Sequence, residues 1–247
     1  MSELRVLIAA AGRGSRAGLP YPKTLYPAQG VPILIRIASL LAPYDTKPSV
    51  IVSPGGMRPI RNCLVEAGIN AHLVIQPQAL GMGNAVLHFT DSPAFEGAKH
   101  VLLVWGDIPF IQPETVSRMV STHFDRASDF TFVTRRVDSA YTIVSRDTSG
   151  VVTEVIETRE KGVVEPQPGE RDIGLFVFRK EPVFAALREE LDDKFGTYTG
   201  EHGFLYVIKH LALRGLRVEA LPIATELDLV SLNRVEDLAG VRARGVG

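Results

Sequence analysis

The chain has 247 residues, 45% hydrophobic and 22% charged, a balance that suits one substantial α/β domain with a full core. A net charge of −1 argues against a general nucleic-acid or membrane-surface binder, and the single cysteine, Cys63, excludes a disulfide framework or a cysteine metal site. No apolar run approaches the roughly 20 residues of a membrane span, and MSELRVLIAA has no signal-peptide arrangement, so a soluble cytoplasmic protein is expected.

The first element is the apolar run Val6-Leu7-Ile8-Ala9, which reads as a buried parallel strand. It ends at Gly12, Gly14 and Gly18, with Arg13, Arg16 and then Lys23 among the glycines. Glycines let the backbone turn sharply and bring bare N–H groups to a ligand, and the cations point to an anionic one, phosphate above all. A Walker A loop fails, because Lys23-Thr24 follows Pro22 instead of a glycine. A dinucleotide fingerprint fails too, because the third glycine comes one residue late and the next strand ends in Ser53-Pro54-Gly55 without an acid.

Further on, Ile33, Leu34, Ile37, Leu40 and Leu41 fall at helical spacing and predict a helix over 32–41. A strand at 49–52, a helix over 59–67 closed by Gly68 and a strand at 72–75 follow. The segment QPQALGMGNAV, 76–86, changes from strand to Gly-rich loop to helix, and a strand at 100–105 ends in Gly106-Asp107-Ile108-Pro109. Strands alternating with helices predict an α/β fold with a doubly wound, largely parallel sheet. The loops that begin at Ala10, Gln76 and Gly106 sit at carboxyl ends of strands and should face one cleft.

Beyond a helix over 113–123, strands at 130–137, 141–145, 151–157 and 174–179 have no helix between them and predict an antiparallel extension. The loop 161–170, rich in proline and glycine, is expected to be mobile. Helices over 182–190 and 204–214, a strand at 217–222 and a last helix from Arg234 complete the chain. It reads as a single domain, 1–247, in two halves, 1–125 and 126–247.

The pattern G-x-G-x-R with Pro-Lys ending at Lys23 resembles the signature of the nucleoside-triphosphate:sugar-1-phosphate nucleotidyltransferases. Within that family the chain most resembles the uridylyltransferase domain of the bifunctional N-acetylglucosamine-1-phosphate enzymes. It has no hexapeptide repeats, so acetyl transfer is not expected. The resemblance implies a Rossmann-like fold, with a nucleoside triphosphate and a phosphorylated small molecule as partners and Mg²⁺ as cofactor. It also implies UTP first and CTP second. Alternatives are a cytidylyltransferase acting on a polyol phosphate, phosphocholine or a phosphonate, and a non-catalytic nucleotide-sugar-binding regulator.

Carried over residue by residue, the resemblance puts Ala10, Ala11, Gly12 and Gly14 on the nucleotide and makes Arg16, Lys23 and Asp107 catalytic. Gln76, Gly81 and Met82 match the base-recognition loop, with Met82 where threonine is usual. Asp107 of Gly-Asp-x-Pro and Asn233 of the closing motif would share the metal. On the acceptor side the family's motifs are rewritten around Tyr141, Asp172 and Gly174, while Glu157 matches the sugar-binding glutamate. Asp172 replaces an asparagine, and an acceptor-only carboxylate facing the sugar would disfavour an acetamido group. No general base is expected, because a sugar phosphate is already largely dianionic, its second pKa being about 6.

Overall fold

The run LRVLIA forms strand β1 (Leu4–Ala9), and the computed structural model, which describes residues 3–12, 14–161 and 167–232, assembles the fold around it. A short hairpin, β2 (Pro27–Ala28) and β3 (Val31–Pro32), leads to helix α1 (Ile33–Leu41), β4 (Ser49–Val52), α2 (Met57–Glu66) and β5 (His72–Ile75). Then come α3 (Met82–Leu87), β6 (His100–Trp105), α4 (Pro113–Asp125) and β7 (Phe130–Ala140). The hairpin β8 (Thr142–Arg146) and β9 (Val152–Glu157) precedes β10 (Gln167–Arg179), α5 (Lys180–Arg188), α6 (Tyr206–Leu213) and β11 (Val218–Leu221).

Seven strands form one sheet in the order β11-β7-β10-β6-β1-β4-β5. β5, β4, β1 and β6 are parallel neighbours, β10 is antiparallel to both β6 and β7, and β11 is parallel to β7. Every strand except β10 therefore points the same way. The expected antiparallel extension reduces to that one reversed strand, together with the separate antiparallel pair β8–β9.

Alternation along β1 and β6 divides the core between the two faces of the sheet. Val6, Ile8, Leu102 and Val104 pack with Leu34 of α1, Ile60 of α2 and Met119 of α4. Leu7, Val101 and Leu103 turn to the other face, against Val86 of α3, Phe184 of α5 and Val207 of α6. Strands covered on both sides have no polar alternation, which is why 6–9 of β1, 50–52 of β4 and 101–105 of β6 are continuous apolar runs.

Local chemistry sets the boundaries that the periodicity left open. Helix α2 starts before the expected residue 59 because Ser53 Oγ accepts from Gly56 N at 3.2 Å and opens a 3-10 turn that runs into it. The last four residues of the loop expected to be mobile, 167–170, instead belong to β10, where Gln167, Gly169 and Glu170 pair with β7. Residues 162–166 and the helix expected from Arg234 lie outside the described residues. Cys63 is half-buried on α2, and burial pushes its thiol up, away from reactivity. Among the described residues no helix is long and apolar enough to cross a membrane.

Candidate active site

Strand register sets the glycine-rich loop and the acid turn side by side. Ala9 at the end of β1 pairs with Trp105 at the end of β6, and Gly106 N donates to Ala9 O at 2.9 Å. Ala10 and Asp107 therefore leave the sheet together, at the carboxyl edge where ligands bind in such folds. Ala10 N donates to Ile51 O at 2.9 Å, so this amide belongs to the sheet and is removed from the donors expected to face a triphosphate. Ala11 is half-buried and Gly12 exposed. Gly14 is buried, and a Cβ there would lie 2.1 Å from Tyr21 O, so the loop's own backbone is what requires this glycine.

Lys23 lies beyond that loop, and its ammonium donates to Asp107 Oδ2 and, at 3.3 Å, to Leu232 O. Leu232 N donates to Asp107 O at 2.8 Å, which fixes the chain just before Asn233 to the acid turn. The buried carboxylate of Asp228 anchors that segment by accepting from Gln112 N at 2.7 Å and from Thr115 Oγ1 at 2.9 Å, at the head of α4. Arg13, Asn233 and the side chain of Arg16 lie outside the described residues.

Asp107 Oδ1 is buried and accepts no hydrogen bond from the described residues, a hard oxygen whose chemistry fits a divalent cation. Among the described residues no group of three or more His, Cys, Asp or Glu could hold a metal.

Gln76 closes β5, two strands from β1 and on the order of 10 Å along the sheet edge. It is buried, and its amide nitrogen donates to Gly81 O at 3.1 Å and to Asn84 Oδ1 at 2.8 Å. A carboxamide offering both donor and acceptor to a base is thus corrected: the donors hold the loop, and Oε1 remains for a ligand. Gly81 takes a φ of +103°, and His202 N donates to Leu80 O at 2.8 Å while Gly83 N donates to His202 O at 3.0 Å. A Cβ on Gly83 would stand 1.9 Å from Gly203 O, so the loop and the 202–203 segment meet backbone to backbone.

Beside Met82, the first residue of α3, a cleft of about 190 Å³ opens, with Trp105, Glu157, His202 and Tyr206 in its wall. His202 Nε2 lies 3.2 Å from Tyr206 Oη, and burial, with Lys194 nearby, lowers its pKa to about 4. Its ring is neutral at pH 7. One lip is fixed by Glu160, which accepts from Tyr198 N at 2.9 Å and Thr199 Oγ1 at 2.9 Å.

Tyr141, Asp172 and Gly174 stand outside the described lining of this cleft. Tyr141 is exposed, with the Arg171 guanidinium 5.6 Å from its ring centre. Asp172 is 4% exposed, and its two oxygens accept from Thr142 Oγ1 at 2.6 Å and Gly174 N at 2.8 Å. Burial pushes its carboxyl up, opposed by those same hydrogen bonds. The expected contact between Asp172 and the acceptor is corrected accordingly. The acid staples the irregularity where β10 slips against β7, and holds Gly174 at a φ of +78°.

A family model described as the MobA-like NTP transferase domain matches residues 6–213. The chain belongs to this family. It is 28% identical over 247 residues to the bifunctional protein GlmU of Symbiobacterium thermophilum, covering 99% of this chain and 51% of that protein. With the GlmU of Koribacter versatilis it shares 30% over 248 residues, 96% of this chain and 50% of the other. The chain thus spans about half the length of these curated relatives. A putative glucose-1-phosphate thymidylyltransferase from Bacillus anthracis, solved in complex with a sucrose, superposes with a TM-score of 0.75 at 18% identity, covering 98% of this chain and 94% of the other. A UDP-glucose pyrophosphorylase complexed with UDP-glucose superposes with a TM-score of 0.70 at 15% identity, covering 99% and 100%. At these identities the superpositions bear on the fold alone.

As an NTP transferase domain, the chain uses residues at this site that no motif marked. Trp105, the adjacent pair His202 and Gly203, and Asp228 come from three separate stretches, acting through a packing face, through backbone groups and through a buried carboxylate respectively. The only signal for one of them was indirect: closely spaced glycines at Gly81 and Gly83 ask for a backbone neighbour, without saying which.

Proposed function

We propose that this NTP transferase domain is a Mg²⁺-dependent enzyme coupling a nucleoside triphosphate, UTP first and CTP second, to a sugar 1-phosphate. Its products are a nucleotide-diphospho-sugar and pyrophosphate. The observation that carries the reading is the meeting of Lys23 and Asp107 where the phosphate loop and the acid turn leave adjacent strands, with a cleft nearby.

In this reading the triphosphate lies along 12–23, with Lys23 and Arg16 screening its charge. The acceptor's phosphate oxygen attacks the α-phosphorus while the bond to the bridging oxygen of pyrophosphate breaks. A phosphate that is already dianionic has no proton to lose, so the step needs orientation and charge screening rather than a base. Asp107, with Asn233, would hold Mg²⁺, whose chemistry is to neutralise charge on the phosphates. Gln76 Oε1 can accept from the N3–H of uracil or the amino group of cytosine. Glu157, in the cleft wall, would accept from sugar hydroxyls.

Pyrophosphate release tests the reading, over UTP, CTP, ATP and GTP paired with N-acetylglucosamine 1-phosphate, glucose 1-phosphate, glucosamine 1-phosphate and phosphocholine. UTP with a sugar 1-phosphate should be fastest. A preference for phosphocholine with CTP would move the domain to another acceptor class, and no release from any pair would overturn the assignment.

A further inference from the structure

Asp107 has its two carboxylate oxygens in different states. Oδ2 accepts from Lys23 Nζ, whereas Oδ1 is buried and accepts from nothing among the described residues. The lysine is held there by more than one contact, since Nζ also donates to Leu232 O at 3.3 Å. Its stem runs along the phosphate loop, where a Cβ built on Gly12 would come within 3.4 Å of Lys23 Cε. The two side chains are only 23% and 16% exposed, so water screens the pair weakly. An ammonium thus sits against the carboxylate that the reading above assigns to the metal.

We propose that Lys23 is an internal cation that competes with the divalent metal for Asp107, so that tight metal binding waits until a triphosphate draws the lysine away. The inference rests on the proposed role of Asp107 as metal carboxylate. Lys23 on Oδ2 and a dication on Oδ1 would share a single negative charge: each neutralises part of what attracts the other, and the two cations repel across one carboxylate. A triphosphate resolves the conflict, because its oxygens offer Lys23 several charge-assisted hydrogen bonds and bring their own share of the metal's ligands. Metal and nucleotide should therefore bind with positive, reciprocal coupling, and Lys23 is the group through which they are coupled.

The test uses Mn²⁺ on nucleotide-free protein, with the free aquo ion counted by electron paramagnetic resonance, so no turnover is involved. Wild type should bind weakly and Lys23→Arg equally weakly. Lys23→Met should bind at least ~10-fold tighter, since a contact charge shifts a carboxylate's affinity for a cation by about one to three decades. Asp107→Asn in the Lys23→Met background should abolish the gain. Lys23→Gln carries the same expectation should the methionine variant fail to fold, and Mn²⁺ should raise the Tm of either variant more than that of wild type. Asp107-dependent binding of equal strength in wild type and Lys23→Met overturns the competition and leaves the metal assignment standing. Binding that ignores Asp107 in every form overturns both.

Discussion

Lys23 and Asp107 are separated by 84 positions in sequence, yet they share a hydrogen bond at the edge of the sheet. In the proposed function Lys23 is a preorganised charge-stabilising group, and removing such a group costs at least ~10²-fold in kcat, about 2.7 kcal/mol. Lys23→Ala and Arg16→Ala should each show a loss of that size in steady-state turnover, and Asp107→Ala should lower kcat far more than it weakens nucleotide binding. A crippling Arg13→Ala beside a mild Arg16→Ala would show that the loop cations had been assigned wrongly. Asp172 calls for a different expectation. In Asp172→Asn the amide oxygen can still accept from Gly174 N while the NH₂ donates to Thr142 Oγ1, so the change should cost less than ~1 kcal/mol. Asp172→Ala leaves both partners unpaired and should cost ~1–3 kcal/mol in urea denaturation. Neither should alter the ranking of acceptors by kcat/KM, and a changed ranking in Asp172→Asn would return the residue to the acceptor site.

At the scale of elements, the loop from Gln76 to Asn84 is held from two sides. Gln76 ties it to the end of β5, and the backbone of 202–203 ties it to the segment that walls the cleft. A methyl on Gly83 would have to displace Gly203 O, and overpacking of this kind costs typically ~1–3 kcal/mol. Gly83→Ala should therefore lower the urea midpoint and raise KM for nucleotide and acceptor together, because one movement disturbs both walls. Gly55→Ala, where a Cβ would meet nothing within 4 Å, is the matching control and should leave both quantities unchanged. A rise in the nucleotide KM alone would mean that the two segments move independently.

For the whole molecule, pH acts through histidines that folding keeps neutral. His123 is fully buried between His100 Nδ1 and Thr131 Oγ1, at 2.9 Å from each. Burial, and then His100, lower its pKa to about 4. An unfolded histidine titrates near ~6.5, so between these values the unfolded chain binds more protons than the folded one. Stability is therefore whole above pH ~6.5 and declines as pH falls toward 4, by on the order of 3 kcal/mol for His123. His202, with a pKa of about 4, acts in the same direction. Urea denaturation across this range should show the decline, and His123→Gln should reduce its slope. An unchanged slope in that variant would exclude His123 as a source.

Much of this architecture is local in origin, and to that extent the residue string determined it. β1, β4 and β6 are legible because a strand buried on both faces must be apolar throughout, and α1 is legible because its apolar spacing is its own. The glycine-rich loop after β1, Gly-Asp-x-Pro and the Gln76 loop stand out for the same reason, each being a contiguous stretch with an unusual backbone. Tertiary structure alone decided that β10 is the reversed strand, that Gln76 spends its donors on Gly81 and Asn84, and that Asp172 turns inward to Thr142. It also decided that Leu232 and Asp107 meet, and that Gly83 rests on Gly203. Those outcomes depend on hydrogen bonds and van der Waals contacts between distant segments, and a carboxylate or a glycine has the same local signature whether it faces a ligand or its own chain.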